Sequence, residues 1–175
     1  MGTLVQVTNL NKSFGPRVIF DTATVTIAER QKIGVVGRNG AGKSTLLKII
    51  VGEEEYNSGE IQIHERAKIG YLTQHDPFKP EEIVMDFLQR SSNKEVWECA
   101  TILSKFQVGK DFHNVAIGSL AGGFQMRVKL TAMLLQDPNL LLLDEPTNYL
   151  DVSTQILLEQ FLQTYRGAFL VVSHD

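Results

Sequence analysis

The 175-residue chain carries a single cysteine, Cys99, so no internal disulfide can staple it. A lone cysteine on an apolar helical pattern reads as core filler, and the default compartment is reducing and cytosolic. No stretch approaches the ~18 apolar residues that a membrane-spanning helix needs, which leaves no direct membrane insertion. The start, Met1-Gly2-Thr3-Leu4-Val5-Gln6-Val7, lacks the basic and long apolar regions of a secretory signal. Neither charge sign is in large excess: 17 Lys and Arg against 20 Asp and Glu give a net charge of −3. A broad non-specific nucleic-acid surface is therefore not expected. His64, His75 and His113 share no metal-ligand spacing and read as surface or packing residues. What remains, 43% hydrophobic and 21% charged, is the composition of one globular domain with its own core.

Leu4-Val5-Gln6-Val7 and Ala23-Thr24-Val25-Thr26-Ile27 alternate and predict strands, with a turn at Ser13-Phe14-Gly15-Pro16-Arg17 between them. Glu60 to His64 and Lys68 to Leu72 predict two more. After Gln74 the pattern turns helical. Pro80-Glu81-Glu82 opens a helix whose apolar face is Ile83, Val84, Phe87 and Leu88. Asn93 caps a second helix through Val96, Ala100 and Leu103, and a third starts near Gly123 and runs to Leu134. Leu140-Leu141-Leu142-Leu143 reads as a buried parallel strand, Ser153 to Thr164 as a helix capped by Ser153, and Ala168 to Val172 as another buried strand.

The most informative run is Gly37-Arg38-Asn39-Gly40-Ala41-Gly42-Lys43-Ser44-Thr45. It fits the phosphate-binding loop, Gly, four residues, Gly-Lys-Ser/Thr. Its glycines let backbone N–H groups approach an anion, Lys43 can reach the β- and γ-phosphates, and Ser44 can bind Mg²⁺. The context agrees, with a short buried strand expected over Lys32 to Val36 before it and a helix from Ser44 to Ile50 after it. A second element follows at Asp144-Glu145, at the carboxyl end of the Leu140 strand. Asp144 can hold Mg²⁺, and Glu145 can face the γ-phosphate and polarise a water as general base.

Together these segments resemble the ATP-binding-cassette family over the full chain. Phe14 matches the aromatic that stacks on adenine, and Gly37 to Thr45 the phosphate loop. Gln74 matches the glutamine that senses metal and water. Leu120-Ala121-Gly122-Gly123 matches the signature, usually Leu-Ser-Gly-Gly. Asp144 and Glu145 match the metal-binding and catalytic acids, Leu150-Asp151 the dimer-contacting loop, and His174 the histidine on the γ-phosphate. The resemblance implies a P-loop, RecA-like α/β fold with an antiparallel β subdomain and an inserted helical subdomain. It places the ATP-binding core in 1–75 and 136–175 and the helical subdomain in 76–135. It also implies ATP and Mg²⁺ as cofactors, and a second cassette, in the same parent chain or in a dimer, whose signature caps the nucleotide. With Ala121 in the serine position a hydroxyl donor to the γ-phosphate is missing, a loss of ~1.5–3 kcal/mol. Phe124 likewise replaces the glutamine common after the glycines.

The run Glu145-Pro146-Thr147-Asn148-Tyr149-Leu150-Asp151 looks like the ABC-F branch. Members of that branch carry two cassettes on one chain, and those studied act on the ribosome in translation or antibiotic protection. Ribosome and rRNA are then the implied partners. Two rival readings are the ATP-binding subunit of a membrane transporter, partnered by a permease, and a non-hydrolysing nucleotide-gated interaction module. The branch also implies that this sequence is an N-terminal fragment, cut within or just after a first cassette, and weakly active in isolation. The interval from Gln74 to Leu120 leaves little room for a long inserted arm.

Overall fold

The structure, a computed structural model, describes residues 2–72, 75–148 and 150–174. The chain divides into two compact units. One comprises residues up to 71, 139–146 and from 166 onward, and the other 72–138 and 147–165.

The first unit is built on two sheets. β1 (Thr3–Phe14) and β2 (Arg17–Ala28) form an antiparallel hairpin closed at Phe14↔Arg17, where Gly15 takes the left-handed φ of 57° that the turn requires. β4 (Ser58–Ile63) adds to the other edge of β1, giving the order β2-β1-β4. Both hairpin strands run longer than their alternation predicts. Register shifts between Val7 and Ser13 interrupt the period of two while the pairing continues. The second sheet has the order β3-β7-β6-β5, with β3 (Lys32–Val36), β5 (Ile69–Leu72), β6 (Leu140–Asp144) and β7 (Ala168–Ser173). β7 runs parallel to both β3 and β6. β3 was expected to be buried but is not: it is the edge strand of this sheet, with Ile33 and Val35 half-buried and Lys32, Gly34 and Val36 exposed. Every residue of β6 is buried, which explains its unbroken leucine run. Leu4, Val5, Val7, Leu10 and Ile27 of the antiparallel sheet share one core with Leu47, Ile49 and Ile50 of α1 (Lys43–Val51) and with Leu140, Leu142, Ala168, Leu170 and Val172.

The second unit is helical: α2 (Val84–Ser92), α3 (Val96–Lys105), α4 (Gly122–Leu134) and α5 (Val152–Thr164). Its interior includes Phe87, Leu88, Leu103, Ile117, Val128, Leu130 and Leu158. Cys99 is fully buried there, and burial pushes its thiol pKa up, as core filler should show. Three local expectations differ. α2 opens at Val84 rather than at Pro80. Ile83 is extended and bridges Ala116, and Pro80 is in close approach to Gly118, where a Cβ would lie 2.7 Å from the Pro80 carbonyl oxygen. Asn93 ends α2 in a left-handed conformation, φ 55°, instead of starting α3. Glu95 is the N-cap of α3, and its N–H donates to the Glu98 carboxylate at 3.0 Å in a capping box. Asp151, not Ser153, caps α5: its Oδ2 accepts the Thr154 N–H at 3.0 Å. α5 groups with the helices of this unit. Arg127 of α4 donates to Thr154 Oγ1 at 3.0 Å and Ser153 Oγ at 3.1 Å. Among the described residues no helix is long and apolar enough to cross a membrane.

Candidate active site

Three parallel strands end side by side, and their carboxyl ends carry the candidate chemistry. β3 leads into Gly37, β7 into His174, and β6 ends on Asp144 with Glu145 next. The Gly37 N–H donates to the Ser173 carbonyl at 3.4 Å, and the Glu145 N–H to the Val172 carbonyl at 3.0 Å, so backbone bonds tie all three ends together.

The loop of residues 37–42 closes with the Ala41 N–H on the Arg38 carbonyl at 3.1 Å. Gly40 and Gly42 take left-handed φ values of 79° and 94°. At Gly42 a Cβ would also collide with Ile19 Cγ2, so this position demands glycine twice over. The α1 ladder begins with the Leu46 N–H on the Gly42 carbonyl at 2.9 Å, which leaves the N–H groups of the first turn outside it. Lys43 is buried. Its Nζ donates to the Gly37 carbonyl at 2.6 Å and the Arg38 carbonyl at 3.3 Å and lies 3.5 Å from Glu145 Oε1. Asn39 is an exposed loop residue, and Thr45 lies in the first turn of α1.

Glu145 holds a left-handed φ of 47°, strained for a side chain of its size and kept by its surroundings. Its carboxylate is nearly buried, with Oε2 2.8 Å from His174 Nδ1 and Oε1 facing Lys43. Burial, the largest single influence, pushes the Glu145 pKa up. The hydrogen bond and charge of His174, together with Lys43, outweigh it and hold the carboxyl below its ordinary range. Asp144 is shifted the other way. Burial raises it, the Ser44 hydrogen bond opposes, and the neighbouring Glu145 charge raises it further. Ser44 Oγ donates to Asp144 Oδ1 at 2.8 Å, across 100 positions of sequence.

These residues fit Mg²⁺ and a nucleoside triphosphate. A hydroxyl and a carboxylate converge as hard oxygen donors, and burial makes the bare Asp144 charge unfavourable in the absence of a cation. Ser44 and Asp144 would hold the metal. Gln74, the third expected ligand, lies outside the described residues.

Phe14, at the hairpin end, exposes 47% of its surface, as a platform for a flat base requires. The Lys12 ammonium stands 4.3 Å from its ring centroid. Arg17 Nη2 donates to the Gly40 carbonyl at 2.5 Å and so ties the hairpin to the phosphate loop. Neither Lys12 nor Arg17 stood out in the sequence. The signal was the strand itself, since residues two apart on β1 share a face.

In the second unit, Leu120 is buried and Ala121 is the extended N-cap of α4, φ −61° and ψ 150°, with no side-chain cap bond. Gly122 has nothing within 4 Å of a built Cβ. At Gly123 a Cβ would collide with Asp151 Oδ1 and lie 2.8 Å from Thr154 Oγ1. Phe124 packs on Phe112, ring centroids 4.8 Å apart, beside the Arg127 guanidinium. The buried Arg127 thus holds Asp151, Ser153 and Thr154 close to the signature turn. Among the described residues no cluster of His, Cys, Asp and Glu forms a metal site.

Comparison with known proteins gives a consistent result. The sequence family described as ABC transporter matches residues 20–148. The chain is 38% identical to the ATP-binding protein Uup of Buchnera aphidicola (Schizaphis graminum), covering 98% of this chain and 30% of that protein. It is 36% identical to the probable ATP-binding protein YheS of Escherichia coli K12, covering 98% and 28%. It is 34% identical to the ribosome protection protein VmlR of Bacillus subtilis, covering 98% and 31%. These three are ABC-F proteins, and the chain spans about a third of their length. Among solved structures, an inward-facing metal-chelate type ABC transporter superposes with a TM-score of 0.83 at 22% identity, over 100% of this chain and 74% of that one. The ADP conformation of a transporter's ATP-binding cassette superposes with a TM-score of 0.82 at 19% identity, over 99% and 82%. At these identities the likeness concerns the fold.

Proposed function

The chain belongs to the ATP-binding-cassette family, and from that premise we propose that it binds ATP with Mg²⁺ and hydrolyses it in a composite site completed by a second cassette. The observation that carries this reading is the placement of Glu145: its carboxylate lies 3.5 Å from Lys43 and 2.8 Å from His174, where β6, β7 and the phosphate loop meet.

In this mechanism the first turn of α1 and Lys43 grip the phosphates, and Phe14 receives the base. Bound Mg²⁺ would neutralise charge on the β- and γ-phosphates, held by Ser44 and Asp144. Glu145 orients the attacking water and accepts its proton as the water oxygen bonds to the γ-phosphorus and the bond to the β–γ bridging oxygen breaks. A carboxyl held below its ordinary range is ionised at neutral pH and ready for that role. His174 steadies it and can also reach the γ-phosphate. The turn Leu120–Gly123 offers N–H groups at the start of α4 to a nucleotide bound by the second cassette. ATP would hold the cassettes together, and hydrolysis would release them.

The run Glu145 to Asp151 and the ABC-F relatives support a cytoplasmic protein that acts on the ribosome, in translation or antibiotic resistance. A calorimetric titration of the chain with Mg-ATP tests the binding step, and absence of saturable binding removes the reading. Co-sedimentation of a Glu145→Gln variant with ribosomes in ATP, and its loss in ADP, tests the client. Sedimentation that ignores the nucleotide would return the chain to a permease or another partner.

A further inference from the structure

Beside the proposed ATP site stands a lysine that the reaction does not use. Lys12 lies on β1, two residues before Phe14, and its side chain is only 9% exposed. Its Nζ donates to Glu54 Oε1 at 2.6 Å and stands 4.3 Å from the centroid of the Phe14 ring. A lysine is seldom this buried unless it is paired. Here the pairing carboxylate fixes the ammonium over an aromatic face.

Glu54 is itself held in place. The N–H groups of Glu53 and Glu54 donate to the Lys48 carbonyl at 2.8 and 3.3 Å, at the carboxyl end of α1. Asn57 then fastens the following segment along β1: its N–H donates to the Asn11 carbonyl at 2.9 Å, and its Oδ1 accepts the Ser13 N–H at 2.7 Å. The helix whose first turn bears the phosphate loop is thereby connected, through Glu54 and Lys12, to the ring at the hairpin end.

We infer that Lys12 is a positioning residue for nucleotide recognition, holding the Phe14 ring for a flat base stacked on the ring's exposed side. This rests on the ATP-binding reading. An exposed phenylalanine at a hairpin end would otherwise lose side-chain freedom when a base stacks on it. Fixing the ring beforehand removes that cost. The ammonium also draws on the ring's negative face, leaving the opposite face better suited to the electron-rich underside of a purine. Glu54 holds the lysine there and is not asked to touch the nucleotide.

The test compares two ligands, Mg-ATP and magnesium-loaded inorganic tripolyphosphate, which shares the phosphates and lacks the base. Lys12→Met keeps the apolar stem and removes the charge. It is expected to weaken Mg-ATP about fivefold, the order of one cation–π contact, and to leave tripolyphosphate within about twofold. Lys12→Arg restores the ATP affinity. Glu54→Gln reproduces the base-specific loss in smaller measure and serves if Lys12→Met folds poorly by thermal melting. Equal weakening of both ligands, or of neither, overturns the positioning role while the ATP site stands. A wild-type chain that binds neither ligand overturns the ATP reading and this inference with it.

Discussion

Nδ1 of His174 lies 2.8 Å from Oε2 of Glu145, joining the end of β7 to the residue after β6. If this contact aims the carboxylate, a His174→Ala variant should lose turnover, by about tenfold or more for a misplaced general base, with little change in KM. It should also move the acid limb of the pH profile. His174 lowers the Glu145 pKa, so its removal lets burial raise it, and the acid limb shifts to higher pH. A pH–turnover series on the two proteins measures both effects, and an unshifted limb separates His174 from the base.

Lys43 fills its own cradle through the carbonyls of Gly37 and Arg38. Lys43→Ala removes a charge-assisted phosphate contact, worth ~1.5–3 kcal/mol or about 10–100-fold in ATP affinity. Fluorescent-nucleotide titration gives the number, and unaltered affinity would place the phosphates elsewhere.

For Asp144 the sign of the shift yields a thermal prediction. Its folded-state pKa is raised above the ordinary 3.8, first by burial. Its contribution to stability is therefore fully present below 3.8 and is lost as pH rises through the folded value. Asp144→Asn removes that penalty, so without metal the variant should melt higher than the parent at neutral pH, and the gap should close in acid. The same variant should lose most of the stabilisation that Mg-ATP gives the parent. Melting curves across pH, with and without Mg-ATP, check both halves.

The signature glycines should part company under substitution. At Gly123 a Cβ meets Asp151 and Thr154, so Gly123→Ala should destabilise the fold by about 1–3 kcal/mol of overpacking. At Gly122, the first residue of α4, the space is open, so an alanine methyl meets nothing. Gly122→Ala should fold at least as well and yet lower ATP turnover, because its Cβ intrudes where a second cassette's nucleotide would sit. Urea midpoints beside turnover rates distinguish a packing role from a ligand role.

The legible parts were those whose information is local. The strand–loop–helix from Lys32 to Val51 carries its own glycines and period, and the leucine run of β6 ends on Asp144 as its hydrophobicity says. The start of α2 was not legible, because the turn at Pro80 is set by Gly118, 38 positions away, and by the bridge between Ile83 and Ala116. Caps were misplaced where several good candidates stood within a few residues: Asn93 against Glu95, and Ser153 against Asp151. In the site, single motif residues could be read one by one. The contacts that organise them, Lys12 with Phe14, Arg17 with Gly40, and Arg127 with Thr154, arise from register and packing that one sequence does not spell out.

The proposed reaction is hydrolysis by Glu145 in a site that two cassettes complete. Phosphate release from ATP, measured per chain over a range of chain concentrations, tests it most directly. Turnover per chain should rise with concentration as composite sites form. Glu145→Gln should fall ~10²–10⁴-fold at every concentration while still binding ATP. Turnover that is independent of concentration, or unchanged in Glu145→Gln, would contradict it.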